Sequence, residues 1–250
     1  MKKQNIIIIV FIPFLIAMLT NYCFAFNGYN KTRVSEKEIE MSLFTNLNSK
    51  IDWEIQNTDV EIERKFIGFG VTNPLSKTID VYCTLNYIYE GEIKYEDFNK
   101  LNYDTGFFTN IGIKMNSYNE DKVSVFVYGQ FNFIFSDDWS YSNEIADYTF
   151  ENSGIELSFG ANAKYSINDS FSIYGGIELV PFSDIEGELI EKVKNGASFS
   201  DSDDYERESF FSLKIGAEYS FKKFEKEYNV ASEITFGNEQ SFALCVSIPM

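Results

Sequence analysis

The chain contains no histidine. That absence removes the commonest general base and a leading metal ligand together, so Ser-His, Cys-His and His-zinc chemistries are excluded. Cysteine is scarce as well, with three in 250 residues: Cys23, Cys83 and Cys245. The last two make no disulfide framework, and no C-x-x-C spacing marks a metal site. Beyond residue 25 there is no stretch of 18 consecutive apolar residues, so no later transmembrane helix is expected. Positive charge is in deficit too. Against 38 Asp and Glu stand 21 Lys and Arg, a net charge of -17. Such a chain repels nucleic acid and anionic surfaces, and no nucleic-acid partner is expected.

Aromatic residues are abundant, with 25 Phe and 16 Tyr, which a disordered acidic chain would not carry. The N-terminus has a separate character. Lys2 and Lys3 precede an apolar run from Ile6 to Leu19, and Cys23-Phe24-Ala25 places small residues at a cleavage point. This three-part pattern predicts a secretory signal over residues 1–25, its apolar run too short for a good spanning helix. Tyr22 stands where a lipoprotein signal needs a small residue, so Cys23 is not read as a lipidation site.

From residue 36 onward the period is two. In VSVFVYGQFNFIF, residues 123–135, the odd positions Val123, Val125, Val127, Gly129, Phe131, Phe133 and Phe135 are apolar, while the even ones are mixed. Ten such segments are expected: 36–47, 59–72 with a bulge near Arg64-Lys65, 78–91, 104–116, 123–135, 153–166, 171–180, 209–222, 228–237 and 240–249. An extra strand at Ile51-Trp53-Ile55 is compatible with the pattern. Short polar turns at 73–77, 116–121, 168–170 and 222–226 alternate with acidic stretches 92–103, 136–152 and 181–208, read as long loops. The last hairpin, Gly237-Asn238, is tight. Short and long connections in alternation imply an antiparallel meander with its turns at one end and its loops at the other.

Two architectures suit that meander: a soluble lipocalin-like barrel with the apolar face inward, or a membrane barrel with it outward. Many segments run longer than the five or six residues usual in soluble sheets, and suit a tilted membrane crossing. Tyr165, Phe171, Tyr219, Phe221 and Tyr228 gather beside the short turns, and Tyr87, Tyr89, Phe135 and Phe236 beside the loops. Two aromatic girdles at two interfaces are implied. The other face carries Lys114, Glu156, Lys164, Glu178, Lys214 and Glu218 inside the strands. In a membrane barrel these lie inside and must pair. Folding the chain about its loops predicts Asp80 beside Lys114, Glu178 beside Lys214, and Lys164 with Glu218 on either side of Tyr174.

The fold expected is therefore all-β: a closed antiparallel transmembrane β-barrel meander of ten strands, eight or twelve also fitting. It occupies residues 36–250, with 26–35 as a periplasmic extension after the signal. The alternation over 36–250 resembles that of small bacterial outer-membrane barrels of the OmpA-like, opacity-type and omptin-like neighbourhood. The final SFALCVSIPM alternates as they do but ends Pro249-Met250 where that class ends in an aromatic. The resemblance implies the Gram-negative outer membrane as location, and lipid and the barrel-assembly machinery as partners. Enzymes of this class, the omptin proteases, outer-membrane phospholipase and lipid A deacylase, use an active-site histidine, so their activities do not carry over to this chain.

No catalytic, cofactor-binding or metal-ligating set emerges, and no cofactor is expected. Each interior acid is read as neutralised by a lysine. DSDDYERE, residues 201–208, is acidic but lacks the spacing of a calcium loop. DIEGELIEKVKN, 184–195, has apolar residues at helical spacing and is read as a short rim helix or partial plug. Cys83 is expected to face lipid and Cys245 the interior, with no bridge between them. The functional expectation is a structural or surface-interaction protein without a catalytic site, its loop partner unspecified. A narrow channel with a water path past Gly112, Gly160, Gly176 and Gly216 is one alternative, a soluble periplasmic lipocalin-like carrier another, an enzyme the last.

Overall fold

A computed structural model describes residues 39–55, 58–95, 98–142, 146–194, 196, 198–207, 210–224, 226–237 and 239–249. The signal and the extension over 26–35 lie outside the described residues. The strands are β1 (Glu40–Ile55), β2 (Thr58–Pro74), β3 (Ile79–Tyr95), β4 (Phe98–Glu120), β5 (Val123–Ser142), β6 (Ala146–Ser166), β7 (Phe171–Val193), β8 (Ser198–Arg207), β9 (Phe211–Lys223), β10 (Lys226–Gly237) and β11 (Glu239–Pro249).

Neighbouring strands pair antiparallel in chain order, and β11 returns to β1 through Met41 opposite Ile248 and Leu43 opposite Val246. The sheet therefore closes and has no edge at that level. β8 and β9 are two halves of one wall position. The lower half of β7 pairs β9, as in Ile173 opposite Ala217, and its upper half pairs β8, as in Leu189 opposite Asp201. With that pair counted once, the barrel has ten strands, as the periodicity predicts.

The alternation is inverted relative to a soluble protein. Lys114, Lys214, Glu218, Gln130 and Asn162 are buried, while Leu85, Ile111, Phe159, Ile177, Leu213 and Val246 are exposed around the wall. Ile215, midway along β9, is 61% exposed. An apolar surface circling the molecule far exceeds the few hundred Å² that monomeric soluble proteins tolerate, and hydrocarbon is the solvent it fits. Backbone groups in hydrocarbon must all be paired within the protein, which closure achieves. Among the described residues no helix is long and apolar enough to cross a membrane, so the crossing is made by strands. Tyr165, Tyr219 and Phe221 are exposed beside the short turns, and Tyr87, Tyr89, Phe135 and Phe236 at the other end, as two girdles.

Turn chemistry sets the register. Asn168 Oδ1 accepts from the amides of Ser170 and Phe171, both at 2.9 Å, shaping the β6–β7 turn. Asp121 and Phe224 take positive φ in the β4–β5 and β9–β10 turns, and Gly237, at φ 109°, occupies a region open to glycine in the last hairpin. The register shift between Lys65 and Phe66 is the bulge expected near Arg64-Lys65.

The opposite end departs from the sequence reading. Stretches 92–103 and 136–152, expected as loops, are largely strand, and the hairpins rise well beyond the girdle. The rim helix expected over 184–195 is absent from its described residues: Glu186 to Lys192 pair with β6 and β8 as strand. The acidic stretch 201–208 is likewise strand through Arg207. Backbone pairing with a long neighbour outweighs local helical spacing here. The Ile51-Trp53-Ile55 strand is the upper part of β1. Wall height is uneven: β4 and β7 have 23 residues, while β10 and β11 have 12 and 11. Above the low last hairpin β8 reaches β1 directly, with Trp53 opposite Arg207 and Glu54 opposite Glu206.

Candidate functional site

The two candidate regions are the barrel interior and the acidic crown above it. Four hairpins build the interior with one device. Phe44 stands opposite Gly68, Tyr82 opposite Gly112, Tyr128 opposite Gly160, and Tyr174 opposite Gly216. In each pair the ring lies on the glycine so closely that a Cβ there would come within 2.1–2.3 Å of it. The fourth glycine of the expected water path, Gly176, is covered by Asn162. The glycines are seats for inward side chains, so the path expected along Gly112, Gly160, Gly176 and Gly216 is filled at their level.

The three expected ion pairs are all present. Lys214 Nζ lies 2.9 Å from Glu178 Oε2, Lys164 Nζ 2.7 Å from Glu218 Oε1, and Lys114 Nζ 3.5 Å from Asp80 Oδ2. Tyr128 joins the first pair, donating to Glu178 at 2.7 Å and accepting from Lys214 at 3.2 Å. Tyr82 donates to Gln130 Oε1 at 2.8 Å, and Gln130 Nε2 to Asn132 at 3.0 Å. Lys114 and Lys214 also sit over the rings of Phe126 and Tyr128, 5.3 and 5.5 Å from the centroids. These bonds tie strands far apart in sequence and leave the middle of the barrel filled with side chains.

One lysine per interior acid is not the arrangement found. Among the described residues Glu40, Asp80, Glu156, Glu178, Glu218, Glu233 and Glu239 are buried, seven carboxylates, against four cations, Arg64, Lys114, Lys214 and the largely covered Lys164. Sequence reading omitted Glu233, Glu239 and Arg64, although strand parity already places Glu233 on the face opposite Ile234 and Phe236. Cys83 is exposed and Cys245 buried, on the faces expected, and both are free thiols.

A cleft of about 280 Å³ lies among the crown hairpins, lined by Glu151, Asn152, Glu186 and Glu188 among others. Of two cavities inside the barrel towards the loop end, the larger, about 50 Å³, is lined by Arg64, Phe66, Phe108, Asn110, Glu178 and Glu239 among others. The smaller, about 10 Å³, shares Phe66, Phe108, Asn110 and Glu239 with it and adds Asn86 and Glu233. Among the described residues no three of His, Cys, Asp and Glu group as a metal site.

Above the girdle the charge changes. Segments 52–63, 90–104, 136–151 and 184–208 hold 24 of the 38 acidic residues and five of the 21 basic ones. The remaining sequence, with 14 acids and 16 bases, is close to neutral, so among the described residues the negative charge is concentrated at one end. At the β5–β6 tip Ser142 Oγ donates to Asp147 at 2.5 Å, and Lys194 Nζ lies 3.5 Å from the same carboxyl. The hydroxyl bond first, and then the ammonium, hold Asp147 below the usual carboxylate range. Nearer the girdle Lys65 is bonded to Glu90, which raises its pKa.

No family model matches the chain, and no curated protein sequence matches it. Solved structures do. The outer membrane protease OmpT from Escherichia coli matches with a TM-score of 0.55 at 8% identity, over 86% of this chain and 96% of that one. The translocator domain of the autotransporter NalP from Neisseria meningitidis gives 0.48 at 12% identity, covering 89% and 90%. OprG from Pseudomonas aeruginosa gives 0.45 at 11%, covering 78% and 100%. At such identities the likeness is one of fold, and the fold is that of a bacterial outer-membrane β-barrel. With the lipid-facing belt and the two girdles, it makes this chain an outer-membrane protein.

Proposed function

We propose that this barrel serves as a surface-interaction protein of the Gram-negative outer membrane. The membrane-embedded part is a rigid, filled pedestal that neither conducts nor catalyses. The crown presents an acidic β-surface to a cationic partner outside the cell. The carrying observation is the separation of the two halves: side chains fill the interior at the level of the Tyr–Gly seats, while nearly all the net charge stands above the girdle on tall hairpins. A filled interior opposes diffusion. A fold shared with a protease brings no activity with it, and without histidine the commonest general base is missing.

The test uses the full chain folded in a planar bilayer and in detergent micelles. The expected results are no discrete conductance steps, and capture of a soluble lysine-rich peptide that weakens steeply between low and physiological salt, because exposed charges are screened beyond about 8 Å at 0.15 M. Reproducible unit conductance, or peptide capture indifferent to salt, would overturn the proposal.

A further inference from the structure

We infer that the smaller interior cavity is a binding site for one hard divalent cation of the calcium class. Three polar atoms on its lining residues have no hydrogen-bond partner among the described residues: Asn86 Oδ1, Asn110 Oδ1 and Glu233 Oε2. Their residues are 1%, 2% and 4% exposed. All three are acceptors. The orientation of Asn86 is set by its own amide group, which donates to Thr84 Oγ1 at 2.8 Å and to the Phe108 carbonyl at 3.2 Å, so its oxygen stays free for another group. A buried acceptor left without a partner costs about 1–3 kcal/mol, more when charged.

Size and chemistry restrict what satisfies them. The cavity, about 10 Å³, has room for about one water-sized body. A water has two protons and serves two of three acceptors. A cation serves all of them and supplies positive charge as well. The cavity lining adds Glu239, Thr235 and Ser241, so residues bearing carboxylate, amide and hydroxyl oxygens line it together. Mixed oxygen ligands of this kind suit calcium, which takes six to eight of them in flexible geometry. Two carboxylates at the cavity, Glu233 and Glu239, match a double positive charge. Among the described residues the buried set is acidic in the same sense, with seven carboxylates to four cations. Lys214, 2.9 Å from Glu178, is shared among Glu178, Glu233 and Glu239, so its single positive charge leaves these acids in excess. The acidic crown stands over the same end and raises the local cation concentration there.

The experiment follows unfolding of the full chain in lipopolysaccharide-free detergent, with calcium, with chelator, and with sodium or potassium at matched ionic strength. Wild type is expected to gain about 5–10 °C in midpoint at a hundredfold excess of calcium over its Kd. Glu233→Gln is expected to fold, keep heat-modifiable mobility, and lose most of that gain. Glu151→Gln, which alters the crown instead, keeps it. Three results overturn the inference: a midpoint indifferent to calcium and chelator; an equal response to sodium or potassium; or a calcium gain that survives in Glu233→Gln and vanishes in Glu151→Gln. A proton on Glu233 would give the first of these, with Glu233→Gln raising stability without calcium.

Discussion

Replacing Lys214 with Met tests the interior electrostatics at its most loaded point. The ammonium is 1% exposed and lies 2.9 Å from Glu178 Oε2, with Tyr128 Oη at 3.2 Å. At an effective dielectric of 20 the direct attraction across that distance is about 6 kcal/mol, and part of it offsets the cost of desolvating both groups. Removing one partner of a buried pair typically costs about 3–5 kcal/mol, because the other charge stays behind. The surplus of interior acids makes the two halves of the pair unequal. Lys214 also feels the charges of Glu233 and Glu239. Without it three carboxylates lose their nearest shared cation. Without the Glu178 charge, Lys214 retains two. Lys214→Met is therefore expected to cost about 3–5 kcal/mol and Glu178→Gln about 1–2. The double variant is expected to lie closer to Glu178→Gln than to Lys214→Met. The assay is reversible urea unfolding in lipid vesicles or detergent, with a double-mutant cycle to isolate the coupling. A Glu178→Gln cost equal to or above that of Lys214→Met would refute the account of an acid-rich interior.

Ile215→Arg on the lipid-facing side of β9 is expected to destabilise the vesicle-folded barrel by about 2–4 kcal/mol, while a water-facing site would shift by under about 0.5; urea midpoints in bilayers decide it. Gly160→Val puts a Cβ 2.2 Å from the Tyr128 ring. It should displace that ring from its bond to Glu178 and cost about 1–3 kcal/mol or prevent folding, read as loss of heat-modifiable mobility. At the crown, the depressed pKa of Asp147 means that its contribution is present above the ordinary aspartate range and is lost as pH falls through its lower folded value. Amide exchange at the β5–β6 tip should accordingly stay slow through pH 5 and quicken only below the usual aspartate range; quickening already at pH 5 would contradict the Ser142 and Lys194 contacts.

Much of the barrel is legible because a strand's period forces the assignment of faces. Once Ile111, Ile155 and Leu213 face one way, Lys114, Glu156 and Lys214 must face the other, and hairpin folding then brings Lys114 to Asp80 and Lys214 to Glu178. The same operation sets Tyr82 opposite Gly112 and Tyr128 opposite Gly160, a signal that was present but reads as open space until ring size is considered. The crown was less legible. In 184–193 a two-residue alternation through Ile185, Gly187 and Leu189 coexists with helical spacing of Ile185, Leu189 and Ile190, and nothing local chooses between them.

By itself the sequence determined the period of two, the outward apolar face and the exclusion of histidine chemistry, and pointed to ten strands, since each depends on residue type and spacing along one dimension. Tertiary structure alone decided that the stretches read as loops continue as strand, that β8 crosses a low hairpin to meet β1, and that Asn86, Asn110 and Glu233 surround one small cavity. Those outcomes depend on which distant segments become neighbours when the sheet closes, and closure is a property of the whole circuit of strands rather than of any stretch within it.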